Sequence, residues 1–344
     1  MGFADIVGHD RPIALLRTAL RSGRVAHAYL FHGEEGIGKG LVALRFAQAL
    51  LCESPPAPDA TDACGLCRAC CQVEARTHPD FLFLEPDREA ANPQIKIEQI
   101  RELESQVVYR PLIAARKVFI IDEADRLTIG AANALLKTLE EPPSHSLFLL
   151  TTGRLDALPA TVRSRCQRVR FTPPAIDVVQ QTLTARRGLS PADAHFLAMH
   201  TQGRIGQALE ADPAATRAQE QELCNVISAA SLQSAASTLA ATDAIYKSDR
   251  GTETLAWLAG WVRDLILTRA GADDDLLLHR NQSAALRQGA QPAQLDALLD
   301  LFGAIDDLTR GRNRNLNLQL GLESALLGLR DVLAPTASTP SRIG

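Results

Sequence analysis

The stretch Gly33-Glu-Glu-Gly-Ile-Gly-Lys39-Gly40 constrains this chain more than any other. It follows the pattern G-x-x-x-x-G-K-[ST] up to the last position. In that pattern the glycines let backbone N–H groups close around phosphates, the lysine meets the terminal phosphates, and the final hydroxyl holds Mg²⁺. Gly33, Gly38 and Lys39 keep the cradle, whereas Gly40 has no hydroxyl to offer a metal. Such a loop needs a strand before it and a helix after it. Ala28-Tyr-Leu-Phe31 is a short apolar run, and Leu41 to Cys52 has helical periodicity.

The alternation continues downstream. Residues 11–22 predict a helix with Ile13, Leu16, Ala19 and Leu20 on one face. Phe81-Leu-Phe-Leu84 and Lys117-Val-Phe-Ile-Ile121 read as strands, with a helix from Ile97 to Val108 between them. Ala131 to Glu140 is a helix stopped by Pro142-Pro143, and Ser146 to Thr152 is the last strand expected. Strands alternating with helices imply an α/β fold with a parallel sheet covered on both faces. Phe171-Thr-Pro-Pro174 marks a boundary. Beyond it no strand is expected: residues 175–210 form a small helical unit, and amphipathic helices run from Pro213 to about Leu333. The tail 334–344 has the composition of a disordered end.

A length of 344 residues fits two or three domains. A net charge of −4 argues against a basic surface covering the whole molecule, so any contact with nucleic acid is local or shared with partners. No apolar run reaches the roughly 20 residues of a bilayer span. The first residues lack a basic region followed by an apolar core, so no signal peptide is expected. A cytoplasmic location with reduced cysteines is the expectation.

Three groups carry chemistry. Ile120-Ile-Asp-Glu-Ala-Asp125 places carboxylates at the tip of an apolar strand. Beside a phosphate loop, Asp122 would hold Mg²⁺ and Glu123 would polarise water; alone, the same residues are an acidic strand-to-helix turn. Cys64-Gly-Leu-Cys67-Arg-Ala-Cys70 has two overlapping C-x-x-C spacings, with Cys52 twelve positions earlier. Four thiolates on one Zn²⁺ would close a structural site that staples an inserted loop. The alternative is a set of reduced surface thiols. Cys71 should point away if Cys70 is a ligand, and Cys166 and Cys224 read as packing residues. Finally, Arg163, Arg165, Arg168 and Arg170 follow the last expected strand. They make either a solvated basic segment or a source for an arginine finger reaching a neighbouring subunit's phosphate.

Together these pieces resemble one family. Asn133-Ala-Leu-Leu-Lys-Thr-Leu-Glu-Glu-Pro-Pro143, followed by Ser164-Arg165-Cys166, is similar to the clamp-loader branch of the AAA+ ATPases. Gly23-Arg-Val-Ala-His-Ala-Tyr-Leu-Phe31 and His78-Pro-Asp80 resemble the bacterial members, those of DNA polymerase III. Asn315-Leu-Asn-Leu-Gln-Leu320 with Leu322-Glu323 extends the match. The resemblance implies a RecA-like AAA+ domain over 1–171 with a zinc module at about 52–71, a helical lid over 172–212, and a helical collar over 213–333. It implies structural zinc on Cys52, Cys64, Cys67 and Cys70. It implies Arg165 as a finger acting in trans, Glu123 at the catalytic position, there as a vestige if the site is inactive, and Gly33, Gly38, Lys39, Asp122 and Thr152 as the nucleotide contacts. Implied partners are tau/gamma-type motor subunits and delta in a five-subunit ring, with the sliding clamp and primed DNA reached through the assembly.

The departures from the family's motors matter as much. Motors end the loop in Lys-Thr or Lys-Ser, and they carry a nucleotide-contacting arginine in the lid where this chain has Gly206, in Gly203-Arg-Ile-Gly-Gln-Ala-Leu209. Two losses on the nucleotide side, with the trans arginine kept, point to a subunit that serves its neighbour's site, with doubtful ATP and Mg²⁺ binding of its own. Two other readings compete: an active motor of the tau/gamma type, and a freestanding zinc protein that binds nucleic acid. Gly40 and Gly206 weigh against the first. The acidic charge and 4% aromatic content weigh against the second.

Overall fold

The apolar runs and the helical periodicities between them assemble, in the computed structural model, into two compact units, 1–211 and 212–344. The structure describes residues 2–55, 61–88, 93–226, 232–248, 250–309 and 317–333. The tail expected at 334–344 and the start of the Asn315 run lie outside those residues.

In the first unit, α1 (Asp10–Ser22) precedes β1 (Ala28–His32), and α2 (Lys39–Leu51) follows the glycine loop. Next come α3 (Arg68–Glu74), β2 (Phe81–Leu84), α4 (Ile97–Val107), β3 (Lys117–Ile121) and α5 (Ile129–Glu140). Then follow β4 (Ser146–Thr152), α6 (Ala160–Ser164) and β5 (Gln167–Arg170). The strands form one parallel sheet in the order β2-β3-β4-β1-β5.

Side-chain alternation divides the core between the faces. Tyr29, Phe31, Ile120 and Leu149 pack with Phe46 of α2 and Leu16 of α1. Leu30, Ile121, Phe148 and Leu150 pack with Ile100 of α4 and Leu135 of α5. A parallel five-stranded sheet under helices on both faces is the α/β architecture expected from the sequence. Both faces are covered, which explains the near-continuous apolar strands.

The fifth strand is a correction. Sequence patterning ends the sheet at Thr152, yet β5 pairs in register with β1 from Tyr29↔Gln167 to His32↔Arg170. Only Val169 of its four residues is buried. An edge strand this polar has neither an apolar run nor a clear alternation, and only its partner identifies it. Arg168 and Arg170 therefore belong to the sheet and not to the segment after it.

A small helical group completes this unit: α7 (Ile176–Arg187), α8 (Pro191–His200) and α9 (Ile205–Glu210). Gly188 closes α7 in the left-handed conformation, and Ser190 caps α8 through the Asp193 N–H, with Pro191 at the first helical position. Val179, Leu183, Leu197 and Ala208 form its own core.

The second unit is helical throughout its described residues. It contains α10 (Pro213–Val226), α11 (Ala235–Lys247), α12 (Gly251–Arg269), α13 (Ser283–Ala290), α14 (Leu295–Thr309) and α15 (Leu318–Leu333). Leu258, Val262, Leu298, Ile305 and Leu326 lie at its centre. No helix among the described residues is long and apolar enough to cross a membrane.

Candidate phosphate-loop and thiol sites

The two sites share one helix. At the N-terminus of α2, Gly36 and Gly38 take φ of +76° and +100°, which side chains rarely adopt, and these turns wrap the loop. Gly33 approaches the end of β5 so closely that a Cβ there would lie 2.4 Å from the Phe171 carbonyl. The Gly33 N–H donates to the Thr152 carbonyl at 3.3 Å. His9, at φ +62°, sets its Nε2 2.6 Å from the Ile37 carbonyl, which requires the proton on that nitrogen. Burial pushes the His9 pKa down, so the ring is a neutral donor bracing the loop.

Lys39 is buried and folds back on its own loop, donating from Nζ to the carbonyls of Gly33, at 2.9 Å, and Glu34. Burial lowers its pKa against the pull of Glu35 and Asp122. Asp122 stands at the end of β3, facing Gly40: a Cβ on Gly40 would lie 3.3 Å from Asp122 Oδ1. The pattern's hydroxyl would sit beside that carboxylate, and here only Cα hydrogens do. Thr151 Oγ1 donates to Asp122 Oδ1, and burial raises the pKa of Asp122. Asp122 and Lys39 thus occupy the positions from which they could face Mg²⁺ and phosphate. The hydroxyl that would complete the metal site is absent.

Glu123 is placed at the same strand tip but aimed elsewhere. Its backbone is left-handed at φ +50°, and its carboxylate pairs with Arg88 at 2.7 Å and Arg126 at 2.5 Å. Two guanidiniums compete there with any water for the oxygens. Thr152 is fully buried: its hydroxyl donates to Asp125 at 2.9 Å and accepts from the Arg154 N–H. It reaches the loop through its carbonyl alone, while the neighbouring Thr151 hydroxyl faces Asp122. Asp125 was not singled out by its sequence, since an acidic residue after Asp122-Glu-Ala reads as a turn. It holds Thr152, the Gly153 N–H and Arg154.

Arg165 lies apart from these groups, on the turn that ends α6. Buried Cys166 anchors the turn, and burial pushes its thiol up to about 12. The Arg165 guanidinium pairs with Glu140 at 2.5 Å and donates to the Thr161 carbonyl at 2.8 Å.

At the other end of α2, Cys52 meets Cys64, Cys67 and Cys70 with all four sulfurs within 4.8 Å of one another. The Cys52–Cys67 and Cys64–Cys70 separations are both 3.9 Å. Tetrahedral ligation at about 2.3 Å per bond spaces sulfurs about 3.8 Å apart, so the set fits one zinc ion. Backbone N–H groups already point at the sulfurs: Cys64 to Cys52 at 3.4 Å, Cys67 to Cys64 at 3.2 Å, and Cys70 to Cys67 at 3.4 Å. The N–H groups of Leu66 and Cys67 draw the Cys64 thiol down to about 6. Cys71 is exposed and outside the cluster. The module is tied to α2 by the buried Arg45, which pairs with Glu74, and by Gln48, which donates to the Cys70 carbonyl at 3.0 Å.

Two family models match this chain. One, described as DNA polymerase III, delta subunit, spans residues 8–175. The other, its C-terminal counterpart, spans 216–331. The delta' subunit of Pseudomonas aeruginosa DNA polymerase III is 44% identical over 141 residues, 41% of this chain and 42% of that protein. The delta' subunit of Bacillus subtilis is 34% identical over 200 residues, 58% of each chain. The tau subunit of the same organism is 40% identical over 169 residues, 49% of this chain and 29% of that one. The chain thus spans less than two thirds of the length of each of these relatives.

Proposed function

This chain belongs to the clamp-loader family of DNA polymerase III subunits, and from that premise we propose that it is a delta-prime-type subunit with little or no ATPase activity of its own. It works in the cytoplasm, in a five-subunit ring with tau/gamma-type motors and a delta subunit that loads the sliding clamp on primed DNA. One observation carries this reading: the phosphate-loop site lacks the hydroxyl that would complete its metal site. Asp122 faces a glycine in place of a hydroxyl, and Glu123 is held by Arg88 and Arg126.

Arg165 supplies what this chain contributes to hydrolysis. Its guanidinium is about one third exposed and bound to the half-exposed Glu140. A surface pair of this kind is worth at most about 1 kcal/mol, so exchanging Glu140 for a neighbour's phosphate oxygens is favourable. The four thiols hold one structural Zn²⁺, which fixes the loop between α2 and β2 and takes no part in catalysis. The division into a nucleotide-fold domain over 1–171, a lid over 172–212 and a collar over 213–333 accompanies this proposal.

The test is ATP turnover by the purified chain and by the ring reconstituted with its motors. No turnover alone, and a fall on the order of 10³–10⁵-fold at the adjacent motor site in Arg165→Ala, are expected. Unchanged ring activity would remove the finger. Turnover by the chain alone, abolished by Lys39→Ala, would make it a motor.

A further inference from the structure

Strand β5, which sequence patterning does not show, leaves an open edge on the sheet. It is terminal in the strand order, with β1 on one side and no strand on the other among the described residues. The Phe171 N–H donates to the His32 carbonyl at 2.8 Å. In a parallel ladder each residue turns its N–H and C=O to one side, and its neighbours turn theirs to the other. Val169, like Phe171, therefore pairs with β1, whereas Arg168 and Arg170 direct both backbone groups outward. No hydrogen bond between described residues reaches those outward groups. Val169 is buried and fixes the strand to the sheet, so the edge is formed in advance of any partner.

The same two residues carry unneutralised charge. Arg168 and Arg170 stand opposite Leu30 and His32 of β1, so their side chains share one face of the sheet, and both are exposed. The other arginines of this stretch have acidic partners: Arg154 pairs with Asp125, Arg163 with Asp156 and Arg165 with Glu140. Arg168 and Arg170 have none among the described residues. Their field is felt inside the sheet. Burial first, and then these two guanidiniums, push the His32 pKa down, so the imidazole beside them is neutral.

We propose that the outer edge of β5 takes up an extended acidic segment of a partner protein as a further strand, with carboxylates at alternate positions of that segment meeting Arg168 and Arg170. Backbone pairing supplies the docking, and charge supplies the choice of partner. The alternation follows from the strand period of two, which places every second side chain over the arginine face. Like charge excludes a second copy of this edge, which is how a short edge strand is protected from pairing with itself. A nucleic acid offers phosphates but no N–H and C=O groups at strand spacing, so it would leave the outward backbone of Arg168 and Arg170 unused. The inference goes beyond the function proposed above and involves neither the phosphate loop, the thiols nor Arg165.

Fluorescence anisotropy of a labelled peptide of about seven residues, glutamate alternating with threonine, titrated with the full chain, tests this. Saturable binding is expected. The double variant Arg168→Glu/Arg170→Glu should weaken it by about tenfold or more at an unchanged melting temperature, because both side chains are exposed. Arg168→Lys/Arg170→Lys keeps the charge and should bind within about threefold of the wild type. A peptide N-methylated on the alternate residues whose N–H groups would face β5 keeps every carboxylate and should lose binding. Undiminished binding to the charge-reversed protein, an N-methylated peptide that binds as well as its parent, tighter binding of a single-stranded oligonucleotide of equal charge, or no saturable binding overturns the proposal. Any of these leaves the Arg165 assay standing, because that assay reads the neighbour's site.

Discussion

Helix α2 joins two sites of opposite completeness. At its C-terminal end Cys52 meets three further thiols at tetrahedral spacing, and backbone N–H groups already aim at the sulfurs. At its N-terminal end the glycine turns and Lys39 are in place, but the metal-side hydroxyl is missing and Glu123 is turned to two arginines. The contrast shows which parts of a site the fold itself needs. The loop's left-handed glycines and buried lysine start α2 and seat it on the sheet, so they have structural work in the absence of hydrolysis. A hydroxyl at position 40 has no such work.

Breaking the complete end should have the larger consequence. Wild-type protein is expected to hold one zinc per chain by metal analysis. Cys67→Ser is expected to lose it and to lower the thermal midpoint sharply, because metal-binding free energy is folding free energy, and several kcal/mol on the order of those in small zinc modules are at stake. The loss should propagate. Asp62, within the module, accepts from the Phe3 N–H at 2.9 Å and pairs with Arg17, and Gln48 and Arg45 carry the constraint into α2. Zinc-free protein with an unaltered melt would equalise the two ends.

Asp80 anchors a loop of the same domain by hydrogen bonds alone. Its buried carboxylate accepts the N–H groups of Leu112, Ile113 and Ala114 at 2.7, 2.8 and 2.8 Å, holding the segment after α4. Burial acts to raise its pKa, but the three donors win and keep it below the usual 3.8. Asp80→Asn should cost about 1–3 kcal/mol in denaturant unfolding. The pH dependence follows from the sign. The unfolded carboxyl takes up its proton first, so the contribution is complete above pH 4 and disappears as pH falls through the native value. An Asp80→Asn protein with the acid-unfolding curve of the wild type would remove this assignment.

The legible parts of the molecule were those whose residue types have one physical use. A glycine loop between an apolar strand and a helix marked the nucleotide-type fold, and two overlapping C-x-x-C spacings, with Cys52 twelve positions earlier, marked the four thiols. What escaped was set by partners distant in sequence. Strand β5 has one buried residue and exists because β1 offers an edge. The clamp on Glu123 requires Arg88 from 35 positions earlier, and nothing local to Arg88 announces it. Thr151 and Thr152 are equivalent in sequence, and only the pleat decides that Thr151 meets Asp122 while Thr152 meets Asp125.

Restoring the missing hydroxyl sharpens the contrast from the other end. Gly40→Ser should fold with a stability change within about 1 kcal/mol, since α2 tolerates a small side chain and a serine hydroxyl can reach Asp122. It should still show no phosphate release in a steady-state assay of the chain alone, because the Arg88 and Arg126 contacts leave Glu123 unavailable. Turnover gained from Gly40→Ser alone would mean that one hydroxyl separates this site from a working one.

The smallest expected effect lies beside the complete site. Cys71 adjoins a ligand in sequence, yet one helical step turns its side chain away from Cys70, and its sulfur is exposed, 3.7 Å from the Leu66 carbonyl. A thiol to carbonyl contact at that distance is weak, and Cys52, Cys64, Cys67 and Cys70 already offer the four ligand positions that a tetrahedral zinc ion would use. Cys71→Ser should therefore keep one zinc per chain and melt with the wild type. Zinc loss in Cys71→Ser, with Cys70→Ser retaining the metal, would move the fourth ligand by one residue and undo the tetrahedral assignment on which the comparison rests.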